Sequence, residues 1–276
     1  MMVLLPFNVR ELERGGWLPN RLEELLIQGL YPPVHDRGMS PSTWYGNYVQ
    51  TYLERDVRQL VNVRDLNAFE VFLRMCAGQC GQLLSLTGLA NDCGITHNTA
   101  RSWLSVLEAS YVVRTLHPHY RNFSKRLMKS PKLYFLDPGL AAWLLGIRSA
   151  DQLVGHPMRG PLFESWVFAE LVKARCNRGD PPNLYFWRDR SGLEVDFLAD
   201  LGVTLVPIEA KSGTTFVSEW LQPLQRWTAL AGDSAGQAFV LFGGAEGARW
   251  KGIDAVPWRG IGKVLDAVGT GATAAR

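Results

Sequence analysis

The sequence predicts an α/β chain of α+β layout overall: a helical N-terminal half followed by a C-terminal domain with a mixed sheet. Three observations carry this reading. Apolar residues recur at helical spacing early on, as in Leu22, Leu25, Leu26 and Leu30 and again in Ala100, Trp103, Leu104 and Leu107. Short β-branched and aromatic runs bounded by turn residues dominate later, as in Leu184 to Arg188, Glu194 to Ala199 and Thr204 to Ala210. Helices and strands then alternate as α, β, β, β, α, β, the order of an α/β layer structure.

With 276 residues the chain can bury more than one core. Its 47% hydrophobic and 20% charged residues suit a globular protein and exclude a fibrous or disordered one. The net charge of +3, with Arg far outnumbering Lys, permits phosphate contacts without requiring them. The opening Met1 to Phe7 is too short an apolar run for a secretory signal, and no stretch is long enough to span a membrane, so a cytoplasmic location is expected. Cys76, Cys80, Cys93 and Cys176 form no CxxC pair and are expected to be reduced and mostly buried. His97, His117 and His119 are assigned no role.

Residues 1–62 read as helices broken at Gly15-Gly16 and between Tyr31 and Pro41, with Trp44, Tyr48, Tyr52 and Leu53 as a second apolar stripe and Glu54-Arg55-Asp56 on the other face. Residues 63–150 hold helices at Leu66 to Met75, Leu86 to Asp92 and His97 to Ala109, with a turn at Cys93-Gly94 and Thr96 as cap: a helix-turn-helix. Strands at Val112 to Leu116 and Lys132 to Leu136 flank a loop carrying Arg121, Lys125, Arg126 and Lys129, the wing of a winged helix, and a helix from Leu140 to Leu145 closes the unit. Residues 151–276 start with a linker at Gly155 to Gly160, then a helix from Leu162 to Ala174, the three strands above, a helix around Trp220 to Leu230, a strand at Ala238 to Phe242 and a small-residue tail.

The chemistry is concentrated on two of these strands. Glu194 and Asp196 are two apart, so an unbroken strand turns both to one face and Val195 and Phe197 to the other. Glu209 and Lys211 share a face of the next strand, and a hairpin between the two brings all four together. Two carboxylates can hold Mg²⁺, which neutralises a phosphate and lowers the pKa of water, while a fixed ammonium favours charge developing at phosphorus. Asp196, Glu209 and Lys211 are therefore the candidate catalytic residues, with Mg²⁺ as cofactor and Mn²⁺ as its substitute.

These residues resemble the PD-(D/E)xK restriction-endonuclease-like superfamily, in which an Asp and a following Glu-x-Lys bind the metal. The resemblance adds Glu164, on the preceding helix, to Asp196 and Glu209 as metal ligands. The leading Pro is replaced by Val195. A wider stretch, including Leu4-Leu5-Pro6-Phe7, Gly29-Leu30-Tyr31-Pro32 and Tyr48 to Asp56, resembles the AAA-type ATPases whose tail is domain of unknown function 4143. That resemblance implies that residues 1–62 are the end of an ATPase module. No G-x-x-x-x-G-K-[ST] is present, Gly262-Lys263 being the nearest approach, so no ATP site is expected and ATP hydrolysis by this chain alone is not expected.

Asn98, Thr99 and Arg101, at the start of the third helix, are placed to read bases in a major groove, and Lys125, Arg126 and Lys129 to meet phosphates. DNA is the expected partner, and a metal-dependent nuclease the first functional reading. Two others stand beside it: a non-catalytic regulatory module of an ATPase, and a module in a toxin-antitoxin or defence setting whose apolar N-terminal helices dock on another protein or a second copy.

Overall fold

The computed structural model describes residues 4–52, 66–119, 130–189 and 191–269. Two compact units emerge: one comprises 5–115 and 131–166, the other 1–4, 116–130 and 167–276. The first is here called the helical unit and the second the sheet unit. The expected boundary at residue 62 lies outside the described residues. The chain passes from the helical unit to the sheet unit within a later helix, between Trp166 and Val167.

The helical unit holds α1 (Val9–Gly15), α2 (Leu22–Gln28), α3 (Pro32–His35), α4 (Pro41–Tyr52), α5 (Leu66–Gly78), α6 (Leu86–Asp92) and α7 (His97–Ala109). The chain continues through β1 (Val113–Pro118), β2 (Lys132–Phe135), α8 (Pro138–Leu144), α9 (Ala150–Leu153) and α10 (Arg159–Cys176). The predicted helix-turn-helix is present: the Thr96 hydroxyl accepts the Thr99 N–H at 3.1 Å and starts α7. Ala100, Trp103, Leu104 and Leu107 of α7 are buried, with Trp103 edge-on to Phe69 and Phe72 of α5. The stretch between α5 and α6 runs beside β2, where Gly81 N–H donates to Leu133 O and Leu84 N–H to Pro131 O.

The N-terminal helices are covered, contrary to the expectation of bare apolar faces. Val9, Leu12, Leu22, Leu25, Leu26 and Leu30 are all buried within this unit. Asp137 is the fastener: its buried carboxylate accepts the Leu30 N–H, the Tyr45 hydroxyl and the Leu140 N–H, each at 2.7 Å. A side chain at Gly29 would strike Tyr45 and Asp137, which explains the glycine before Leu30-Tyr31-Pro32. The second apolar stripe is displaced: Tyr45 and Val49 are the buried residues of α4, while Trp44 and Tyr48 are half-buried around Tyr31. The side chain of Tyr52, Leu53 and the Glu54-Arg55-Asp56 stretch lie outside the described residues.

The sheet unit adds β3 (Leu184–Arg188), β4 (Glu194–Asp200), β5 (Leu205–Lys211), α11 (Gln222–Ala231), β6 (Phe239–Phe242), β7 (Ala248–Trp250), β8 (Ile253–Pro257) and α12 (Gly262–Gly269). Its strands take the order β1-β3-β4-β5-β6-β8-β7. The β3–β4–β5 meander and the β8–β7 pair are antiparallel, while β1–β3, β5–β6 and β6–β8 are parallel, so the sheet is mixed as predicted. The parallel β5–β6 step is bridged by α11, whose Leu224 and Trp227 join Val195, Leu198, Val240 and Phe242 in one apolar core. On α10, Phe168 stacks on Phe197 of β4.

Two expectations are corrected. The expected linker is partly helical, since Arg159 and Gly160 form the first turn of α10. The stretch between β6 and the Gly/Ala-rich end at Val268 to Arg276, for which no element was expected, forms β7, β8 and α12, because Ile253, Ala255, Val256, Val264, Leu265 and Val268 supply a buried pattern among the glycines. Residues beyond 269 lie outside the described ones.

Candidate active site

The β4–β5 hairpin is in register from Phe197↔Ile208 to Asp200↔Leu205, which brings Asp196 beside the Glu209 end of β5. Asp196 does not share an alternating face with Glu194. On the β3 side the pairs are Tyr185↔Leu198 and Trp187↔Val195, so a two-residue step on β3 faces a three-residue step on β4. This is the signature of a β-bulge, which inserts a residue and re-aims its side chain. Val195 and Leu198 consequently reach the same core. Glu194 is left outside the cluster, held by Arg188 at 3.3 Å.

Asp196, Glu209 and Lys211 do converge. Lys211 Nζ lies 2.7 Å from Glu209 Oε2 and 3.4 Å from Asp196 Oδ2. Asp196 Oδ2 also accepts the Ala210 N–H at 3.0 Å, which fixes the carboxylate against β5. Both carboxylates are buried, Glu209 with 2% and Asp196 with 7% exposure, whereas the Lys211 side chain is 31% exposed and marks the open side. Burial first, and then the adjacent Asp196 carboxylate, push Glu209 well above the usual carboxylate range, with Lys211 pulling it back down. Glu209 Oε1 is buried without a hydrogen-bond partner among the described residues. A buried carboxylate oxygen without a donor is costly and is a natural ligand for a cation.

The resemblance implies Glu164 as a third carboxylate. Glu164 lies in the helical unit, where its Oε2 accepts the Tyr134 hydroxyl at 3.2 Å. Among the described residues no group of three or more His, Cys, Asp and Glu side chains is disposed to hold a metal ion, leaving Asp196 and Glu209 as a two-carboxylate pair. Sequence reading also passed over Glu170 and Lys173 on α10, an ion pair at 3.1 Å with 0% and 1% side-chain exposure. Its signal was an acid and a base three apart in the otherwise apolar run Val167 to Lys173. His119 is likewise buried, with Nε2 3.6 Å from Asp200 Oδ2.

Of the expected nucleic-acid contacts, Asn98 and Arg101 are exposed on α7, while Thr99 is half-buried and its hydroxyl is engaged with that of Thr96 at 2.8 Å. Arg121, Lys125, Arg126 and Lys129 lie outside the described residues. Cys76 and Cys80 are buried thiols, and Cys93 and Cys176 are half-buried.

The site's strands fall inside a recognised sequence region. Residues 159–261 match Domain of unknown function (DUF4143). Ahead of the DUF4143 region, residues 19–151 match Domain of unknown function (DUF8612). The chain is 34% identical over 195 residues to "Uncharacterized protein Rv2008c" of Mycobacterium tuberculosis (strain ATCC 25618 / H37Rv) and, equally, to "Uncharacterized protein Mb2031c" of Mycobacterium bovis (strain ATCC BAA-935 / AF2122/97). The alignment covers 70% of this chain and 43% of each relative, so the chain spans less than half the length of the curated relatives it matches. No solved structure matches. No helix among the described residues is long and apolar enough to cross a membrane.

Proposed function

We propose that the DUF4143 region carries a phosphodiester-hydrolysing site of the restriction-endonuclease-like kind, and that the helix-turn-helix of the helical unit docks on DNA. The observation that carries the first half is the convergence of Asp196, Glu209 and Lys211 from adjacent strands, with one ammonium within 2.7 and 3.4 Å of two buried carboxylates. Asp196 and Glu209 fit Mg²⁺, which is commonly bound through one or two carboxylates with water and phosphate oxygens completing the shell. When bound, the ion supplies charge neutralisation and a more acidic water. Lys211, on the open side, orients that water or stabilises the negative charge that grows on the phosphate. Asn98 and Arg101, exposed at the start of α7, support the second half. The wider resemblance to AAA-type ATPases makes the chain a tail module in this proposal, supported by the DUF4143 match.

Incubation of the purified chain with supercoiled plasmid and Mg²⁺ or Mn²⁺ tests the site. Nicking by the wild type is expected, with a loss of roughly a hundredfold or more in Asp196→Asn and Lys211→Ala. Equal nicking by all three proteins would sink the proposal. A second reading, a non-catalytic regulatory module, is favoured by the way Lys211 already compensates both carboxylates within the chain. Salt-dependent DNA binding without nicking by the wild type would select it.

A further inference from the structure

Next to the end of β5 that carries Lys211, the sheet unit presents a group of aromatic rings. Lys211 and Phe242 are Cα partners in the parallel β5–β6 ladder, so their side chains stand on one face as neighbours. Phe242 is buried, and two rings cover it: Phe216, edge-on with centroids 6.1 Å apart, and Trp220, tilted at the same 6.1 Å. Phe216 and Trp220 meet each other at 5.9 Å, edge to face. Both are only half-buried, whereas the Phe242 ring beneath them is closed off.

The backbone leading out of the site makes room for this arrangement. Gly213, two residues after Lys211, faces the Trp220 ring so closely that a Cβ there would lie 3.1 Å from the indole. Gly243 N–H donates to Lys211 O at 3.0 Å, tying the end of β6 to the same point. The indole therefore lies against the chain leaving the strand that carries the lysine, whose side chain is 31% exposed. Phe216 and Trp220 pack against the apolar core with their inner edges, and their half-buried outer faces stay available to a ligand; a phosphodiester seated at Lys211 has a nucleobase on either side of it. Half-exposed rings next to a basic group form the usual platform for unpaired bases, and paired bases, already stacked on one another, cannot use it.

We infer that Trp220, with Phe216, stacks an unpaired nucleobase flanking the phosphodiester at Lys211, so that the site takes single-stranded or locally opened nucleic acid. The inference rests on the reading of Asp196, Glu209 and Lys211 as a phosphodiester site. Its test uses the full chain carrying Asp196→Asn, which separates binding from cutting. Affinity for a fluorescent single-stranded oligonucleotide of mixed sequence and for the same sequence as duplex is followed by anisotropy. Trp220→Leu and Phe216→Ala are each expected to weaken single-strand binding by about tenfold while duplex affinity moves less than about twofold, and Trp220→Phe, which keeps a π face, to restore most of the loss. Unfolding curves of the variants identify any that fail to fold, and the Phe replacement keeps the comparison valid in that event. Equal losses on both substrates, or none on the single strand, would overturn the stacking role. Plasmid nicking by the wild type alongside unchanged single-strand binding in the ring variants would overturn this inference and leave the phosphodiester site standing.

Discussion

At the scale of single residues, the site turns on Glu209, a carboxyl held beside another carboxylate and away from water. Its acid is favoured in the folded chain because desolvation and Asp196 both penalise the charged form, and Lys211 offsets this only in part. A carboxyl whose folded pKa is raised contributes stability that is fully present below its unfolded pKa and is lost as pH rises through the folded one. Glu209→Gln keeps the shape of the neutral acid and removes the titration. In metal-free buffer, the variant is expected to gain on the wild type in Tm as pH rises from 5 to 8, by roughly 2–4 °C for each kcal/mol of relieved destabilisation, with a flatter dependence of Tm on pH. Thermal unfolding from pH 5 to 8 checks it, and parallel curves for the two proteins would show that Glu209 does not titrate as described. The residue types of this site were legible in the sequence because an acid, an acid-x-lysine and an apolar strand between them are a chemical pattern. The pairing of Glu194 with Arg188 was not, since one inserted residue in β4 reverses the alternation on which the same-face argument depended.

At the scale of elements, periodicity located the helix-turn-helix pair well: α6 and α7 have the predicted ends, and β3 runs from Leu184 to Arg188 as expected. Thr96 explains the first success, because its side chain accepts the N–H that α7 cannot satisfy internally. The C-terminal β7, β8 and α12 escaped notice because glycines interrupt them and each is only three to eight residues long. Helix α10 hid a different feature. Glu170 and Lys173 are three apart on it and fully buried, so each charge has lost its hydration and needs opposite charge nearby. Removing either partner takes this contact from a buried charge: Glu170→Ala is expected to cost about 3–5 kcal/mol in urea unfolding, and Lys173→Met a comparable amount. The double variant should lose clearly less than the sum of the two single losses, the coupling expected of groups in direct contact. Strict additivity would mean that the 3.1 Å contact carries no energy of its own.

At the scale of the whole molecule, one stretch of chain belongs to a unit other than its neighbours in sequence. A reading by composition places the break in the glycine-bounded stretch before α10, and the two sequence-family matches also stop and start there, at residues 151 and 159. Contacts add what neither marks, because the described residues of the 116–130 stretch belong to the sheet unit although they precede residues 131–166 of the helical unit. Their described part includes the end of β1, where His117 and Pro118 pair with Tyr185 and Phe186, and the buried His119, whose N–H donates to Phe186 O at 2.8 Å. Such an insertion is invisible to local pattern, since strand pairing across nearly seventy residues leaves no periodic trace. A fragment of residues 151–276 therefore leaves the β3 edge without its parallel neighbour and presents an open strand to other chains. That fragment is expected to aggregate or to unfold without a sharp transition, whereas a version that also carries residues 113–119 through a flexible linker should regain cooperativity. Circular dichroism melts at two protein concentrations would decide it. A sharp, concentration-independent transition in the short fragment would mean that β1 is dispensable to the sheet, and that the site on β4 and β5 can be studied free of the helices that precede it.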